Sequence, residues 1–262
     1  MSKRKATFYR NSYYYLSNKS VDRKMLFREA CDYLYFLYLL YYLNQSSSIE
    51  LRRLNLNFSY TNNNHFKRLP SASLPCLKIV GFCLLPNSFS LVVKQLQTNG
   101  ISDFMQRLGT SYSLHYNKKY SRSGPIFCGP FKSVYIEKNV LNQALLFIHL
   151  QPSKLFIHLP FRKLSSQVNN YNWSSLPYYL GKMVWSPLLN KNKRLHPSLY
   201  TQTMKNAIFK KNPVIFSCSK HCLNDNVQKF ILNINNLFNI LLIEIFINSF
   251  YFLDQIQNCD LG

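Results

Sequence analysis

Acidic side chains are scarce in this chain: 10 Asp+Glu stand against 32 Lys+Arg over 262 residues, a formal charge of +22. So lopsided a balance points first to a polyanionic partner, with nucleic acid ahead of an anionic membrane surface. Composition alone leaves a second account open, because Lys, Asn, Ile, Phe and Tyr are also what AT-rich coding DNA supplies. A long uninterrupted apolar run is missing as well. Residues 26–43 are dense in Leu, Phe and Tyr but open with Arg28, Glu29 and Asp32, and residues 230–252 are broken by Asn and Glu244. Neither offers the roughly 20 clean apolar residues a bilayer span needs. The first ten residues are basic, with no apolar stretch behind them, so no secretory signal is read there. With seven cysteines, an odd number, the expectation is a reducing, cytoplasmic setting and structural thiols. The one cysteine cluster, Cys218, His221 and Cys222, lacks the second ligand pair that structural zinc requires. No internal repeat is present.

Apolar and aromatic residues are plentiful. At 47% hydrophobic and 16% aromatic, the chain is too rich in core formers to be a disordered basic tail. Tyr13 to Leu16 reads as a strand ended by Asn18-Lys19-Ser20. Asp22 is placed to cap a buried helix over 26–43. Residues 44–73 read as a polar insertion. Two strands, 77–85 and 88–93, flank the turn signal Pro86-Asn87. A helix follows Gly100, with Ser102 as its cap and Phe104, Met105, Leu108, Tyr112 and Tyr116 on one face. Residues 131–136 alternate as a strand, 138–150 read as a helix stopped by Pro152, and 163–172 as a polar loop before a short helical turn at Trp173. The order is strand, helix, strand, turn, strand, helix, strand, helix. It predicts an α+β fold: an antiparallel sheet with helices packed on it, ferredoxin-like in outline.

Several blocks, taken in order, resemble a known family. They are Asn18-Lys19-Ser20-Val21-Asp22-Arg23-Lys24, Phe82-Cys83-Leu84-Leu85-Pro86-Asn87, Ile101 to Arg107, Arg122-Ser123-Gly124 with Ile126 to Lys132, Ile148-His149-Leu150-Gln151-Pro152, and Tyr171 to Ser175. The set looks like the single-tyrosine HUH transposases, and within them the REP-associated branch related to the insertion-sequence 200 type. The resemblance covers residues 8–182, and 183–262 form a basic, then apolar extension with no assigned role. It implies an HUH-endonuclease fold and DNA transposition by single-strand cleavage and rejoining. In that chemistry two His flank one apolar residue on a strand, so both imidazoles share a face. With a third polar ligand they hold Mg or Mn, which polarises the scissile phosphate. A helix-borne Tyr attacks phosphorus and forms a covalent link to DNA.

The chain departs from the family at each of those positions. Ser88 and Ser90, around Phe89, stand where the His pair falls, and Phe147 stands at the nucleophile position. Gln143, Ala144, Leu150 and Gln151, one turn away, supply no phenol. Gln151 falls at the third-ligand position and reads as a surface amide. The basic residue expected after Gly129 is replaced by Pro130. The resemblance therefore implies a protein without strand-transfer activity and without a metal cofactor. Its partner would be single-stranded or hairpin DNA, contacted through Arg23, Lys24, Arg107, Lys118, Lys119, Arg122 and Lys132. Arg107 and Lys132 stand out among these, because helix and strand positions aim them consistently. Bound to DNA, such a protein would sit with the nucleoid. Two other readings compete. One is a membrane-associated or structural protein built on a decayed transposase scaffold, using 26–43 and 230–252. The other is an enzyme using His115 or His149 with Glu137.

Overall fold

The computed structural model describes residues 7–44, 75–156, 158–182 and 188–189. These fall into two compact units that meet in sequence between Lys138 and Asn139. The expected insertion at 44–73, the cysteine cluster and the segments 191–211 and 230–252 lie outside the described residues, apart from Asn44.

In the first unit, strand β1 (Tyr13–Lys19), helix α1 (Ala30–Tyr42), strands β2 (Leu77–Leu85) and β3 (Ser88–Gln95), helix α2 (Gly100–Lys119) and strand β4 (Lys132–Ile136) follow one another. The strands form one four-stranded sheet in the order β2-β3-β1-β4, and every neighbouring pair is antiparallel. The class is α+β. β1 and β3 are therefore central, and β2 and β4 are the edges. Alternation along the strands sorts side chains between the two faces. Leu16, Phe89 and Leu91 are buried on one face. There the Phe89 ring lies 5.0 Å from Phe36 of α1, which in turn lies 5.0 Å from Tyr112 of α2. The other face carries Tyr15, Ser17, Ser88 and Ser90.

The helices depart from the sequence expectation at their ends. α1 begins at Ala30 rather than residue 26: Glu29, at φ −129° and ψ 161°, is still extended, and the amides of Leu26 and Phe27 bond to the Pro86 carbonyl. A capping box between Glu29 and Asp32 starts the helix. Asp22 caps nothing: it sits in a short 3-10 turn, Val21–Arg23, with φ at +56°. α1 has 13 residues, about 20 Å at 1.5 Å per residue, against the roughly 30 Å of a bilayer core. Among the described residues no helix is long and apolar enough to cross a membrane. Asn99 stands at the N-cap of α2 in the left-handed conformation without a side-chain cap bond, and Ser102 is exposed inside the helix. Its predicted apolar face, Phe104 to Tyr116, is buried. Gly100 is required there, since a Cβ would lie 2.9 Å from the Cys76 carbonyl oxygen.

The second unit opens with a 3-10 turn, Lys138–Val140, that straddles the junction and leads into helix α3 (Leu141–Leu150). A second 3-10 turn, Gln151–Leu155, contains Pro152 and is followed by α4 (Phe161–Asn169) and α5 (Leu176–Tyr179). α4 corrects the expected polar loop over 163–172. Its buried side chains, Leu164 and Val168, are four residues apart and share one helix face.

Candidate nucleic-acid interface

Strand register builds the site. Across the ladder Ser88 pairs with Lys19, and Ser90 pairs with Ser17, which pairs in turn with Lys132 of β4. Paired residues of adjacent strands project from the same face. Two rows therefore run across one end of the sheet, Lys19–Ser88 and Lys132–Ser17–Ser90. Ser90 is buried, and its hydroxyl shares a 3.0 Å hydrogen bond with the Tyr15 hydroxyl. Ser88 is partly exposed, and its hydroxyl donates to Asn87 Oδ1 at 3.4 Å. Lys19 and Lys132 are exposed. Lys19 was not singled out from the sequence, where it reads as part of a strand terminator; only the ladder register places it beside Ser88.

Loops close this end of the sheet. The Ser20 amide donates to the Asn87 carbonyl, the Val21 amide to Ile126 and the Cys128 amide to Lys19. Asn18 adds a side-chain bond to the Gly129 carbonyl at 3.2 Å. These bonds carry Arg23 and Lys24, on one loop, and Arg122, on another, to the same end as Lys132. Lys24 is paired with Asp22 at 3.4 Å, both largely exposed. Such a pair contributes little to stability. Lys118 is exposed on the last turn of α2.

Two of the residues picked from sequence stand apart from these rows or are already paired. Arg107 lies at the opposite end of the sheet, where its guanidinium reaches the Asp103 carbonyl and Cys76 Sγ, the latter at 3.6 Å. It shares neither edge nor face with Lys132. Lys119 is committed to carboxylates: its ammonium lies 2.6 Å from Asp32 Oδ1 and 3.2 Å from Glu29 Oε2. Asp32 is 1% exposed and also accepts from the Tyr120 hydroxyl at 2.6 Å and from the Arg28 and Glu29 amides. Burial would raise the Asp32 carboxyl, but the bonds from Lys119, Tyr120 and the two amides outweigh it and hold the group below its ordinary range. Burial and the bond to Asp32 push the Tyr120 phenol up to about 12. It remains a neutral donor rather than a substitute nucleophile.

In the second unit Phe147 is partly exposed on α3, and Gln151 is 8% exposed. That burial corrects the reading of Gln151 as a surface amide: the 3-10 turn that follows α3 folds it inward. His149 is fully buried, and one ring nitrogen shares a 2.7 Å hydrogen bond with Ser175 Oγ. Burial lowers its pKa to about 3, so it is a neutral core residue. His115, in the first unit, stacks on Tyr35 with ring centroids 3.7 Å apart, and burial lowers it too. His115 is thus stacked on an aromatic ring and His149 is bonded to Ser175, and Glu137 belongs to the first unit while His149 belongs to the second.

A divalent metal does not fit the sheet end. Its donors are neutral hydroxyls, one already bonded to Tyr15, and its charged neighbours along the rows are the ammonium groups of Lys19 and Lys132. A hard dication is held by carboxylates, carbonyls or imidazoles rather than by hydroxyls beside like charges. The accessible members of the two rows, Lys19, Lys132, Ser17 and Ser88, suit a phosphodiester, which accepts hydrogen bonds and carries the opposite charge; the buried Ser90 hydroxyl stays with Tyr15.

No family model matches the chain, and no curated protein does. Among solved structures, it is similar to a REP-associated tyrosine transposase bound to a REP hairpin, at 9% sequence identity and a TM-score of 0.42, over 74% of this chain and 96% of that one.

Proposed function

We propose that this chain binds single-stranded or hairpin DNA through its phosphate backbone and does not cut it, on a scaffold of the single-tyrosine HUH transposase type. The observation that carries the reading is the polar and basic pair of rows at one sheet end, Lys19–Ser88 and Lys132–Ser17–Ser90. Within them, Ser88 and Ser90 stand at the positions where the family resemblance puts its metal-binding histidines. The succession β1-α1-β2-β3-α2-β4 with sheet order β2-β3-β1-β4 supports the ferredoxin-like outline that the resemblance implies. Lys24, Lys118 and Arg122 add charge around the same end, and Arg107 and Lys119 take no part.

Loss of cleavage follows from the chemistry. The family's covalent protein–DNA link is made by a tyrosine oxygen, and the phenyl ring of Phe147 offers no nucleophilic atom at that position. Phosphoryl transfer also needs an electrophile at the scissile phosphate. Hydroxyls beside lysines hold a phosphate as a bound ligand and do not recruit the dication that would polarise it. Binding needs only the electrostatic part, and no metal.

Two measurements on the full chain test this. Affinity for a hairpin oligonucleotide should fall steeply with salt, with a log–log slope of about −0.7 per phosphate neutralised on a single strand. Association that is absent, or independent of salt, overturns the binding claim. Incubation with the same hairpin and Mg or Mn should leave no covalent protein–DNA band on a denaturing gel, and the appearance of one overturns the claim of inactivity.

A further inference from the structure

We propose that Arg28 and Arg122 form a phosphate clamp for the nucleic-acid backbone, a site on the α1–α2 side of the same sheet end. It rests on the DNA-binding reading above and deepens it. Its foundation is the Tyr116 ring, 1% exposed, whose hydroxyl donates to the Met25 carbonyl at 2.7 Å. The guanidinium carbons of Arg28 and Arg122 each lie 5.6 Å from the centre of that ring. Arg28 also lies 4.3 Å from the centre of the Tyr120 ring, and Arg122 donates to the Pro125 carbonyl at 3.3 Å. A guanidinium over an aromatic face is held in place without losing its charge.

Two arginines gathered around one ring repel each other and would ordinarily recruit carboxylates. The nearest candidates, Glu29 and Asp32, sit one and four residues beyond Arg28 in sequence. Both are taken by Lys119, at 3.2 and 2.6 Å, and Asp32 also accepts the Tyr120 hydroxyl. Lys119 thus offsets one of the two negative charges and holds both carboxylates in its own ion pairs. Among the described residues Arg28 and Arg122 form no ion pair, and Arg28 is exposed. What remains is a preorganised pair of planar, weakly hydrated cations, with bidentate donor geometry matched to phosphate oxygens. The Leu26 and Phe27 amides bind the Pro86 carbonyl in the β2–β3 turn. Lys19 and Ser88 belong to the opposite sheet face, so a DNA strand that passes round this end, past the Pro86 turn, meets the arginine pair as a second phosphate contact.

The test is a salt series of hairpin-oligonucleotide binding by the full chain and its variants, with the thermal midpoint of each variant recorded. Arg28→Ala and Arg122→Ala should each flatten the log–log salt slope by about 0.7 and weaken binding about ten-fold at low salt. Arg28→Lys, which keeps the charge and is the milder change, should keep the slope. Arg107→Ala, at the far end of the sheet, should leave both slope and affinity unchanged. If the wild type binds with a steep slope and the two alanine variants keep it, the clamp is wrong and the DNA-binding reading stands. Equal losses in Arg107→Ala would mean that only net charge is being read, and would also overturn the clamp. If the wild type does not bind at all, the parent reading fails first.

Discussion

Replacing Asp32 by Asn is the sharpest perturbation of the first unit. One carboxylate, 1% exposed, accepts four bonds: Lys119 on Oδ1, and Tyr120 and the Arg28 and Glu29 amides on Oδ2. Asn can place its single oxygen at the Oδ2 position and keep three of them as weaker, neutral bonds. Its NH2 then faces the Lys119 ammonium, donor against donor. Losing a charge-assisted bond costs about 1.5–3 kcal/mol, and weakening the helix cap adds a contribution of about 0.5–2 kcal/mol. The Lys119 side chain, 26% exposed, recovers part of this by rehydrating. The expected loss is about 3 kcal/mol. With a urea m-value of about 2 kcal/mol/M, that lowers the midpoint of the unfolding transition by about 1.5 M, read by far-UV circular dichroism. The pH dependence carries the same signature. Because the folded state holds the Asp32 carboxyl below its ordinary value, its contribution is complete above the unfolded pKa of about 3.9. That contribution fades as pH falls through the lower folded value. The gap between wild type and Asp32→Asn should therefore be full at neutral pH and close under acid. A gap below about 0.5 kcal/mol at pH 7, or one that persists unchanged into acid, refutes the assignment of Lys119 to the ion pair rather than to DNA.

Further expectations concern other sites. Gly100→Ala should destabilise by about 1–3 kcal/mol, against the gain of about 1 kcal/mol usual for that change inside a helix, because its Cβ meets backbone at 2.9 Å; a raised melting temperature would contradict this. His149 is held neutral, with its folded pKa lowered to about 3. It therefore contributes stability above about pH 6.5 that is progressively lost as pH falls toward 3, and His149→Gln should abolish that part of the pH profile of thermal unfolding. Tyr15→Phe, which removes one partner of the buried Ser90 hydroxyl, should cost about 1–2 kcal/mol in a urea titration. Ser90→His, by contrast, should cost about 1–3 kcal/mol by overpacking a site only 4% exposed. A fully stable Ser90→His protein would argue that the pocket still accepts an imidazole.

Much of this could be read from local pattern. The four strands and the buried stripe of α2 were legible because alternation and i, i+4 spacing are short-range signals. α4 was not, because Lys163, Ser165, Ser166, Gln167 and Asn169 surround its two apolar anchors and a polar stretch reads as a loop. The start of α1 was misplaced because Leu26 and Phe27 look like its first turn, and only tertiary structure hands their amides to Pro86. The same displacement hid Arg28, which reads as an interior helix residue until the helix is seen to begin after it. The positions of Ser88, Ser90 and Phe147 were readable one by one. That Lys19 stands beside Ser88, or that Lys119 is spoken for, depends on strand register and on a contact 87 residues long in sequence. Arg107 was favoured for its regular helical placement, which is right, while the end of the sheet it serves depends on which strand it neighbours.

The interior place of β1 has a kinetic meaning. β1 is hydrogen-bonded on both sides, but its partners lie far downstream: Tyr15 meets Ser90 at a separation of 75 residues, and Asn18 meets Gly129 at 111. Until both arrive, an aromatic-rich strand has two open edges, the condition that invites pairing with other chains. Loop closure over such lengths adds only slowly to the entropic cost, yet contacts of this range are the ones that slow folding most. The apolar β2–β3 hairpin, local and self-contained, is the natural first structure, and β1 then docks onto a preformed edge. Lys19, at the end of this strand, therefore takes its place beside Ser88 only late in folding.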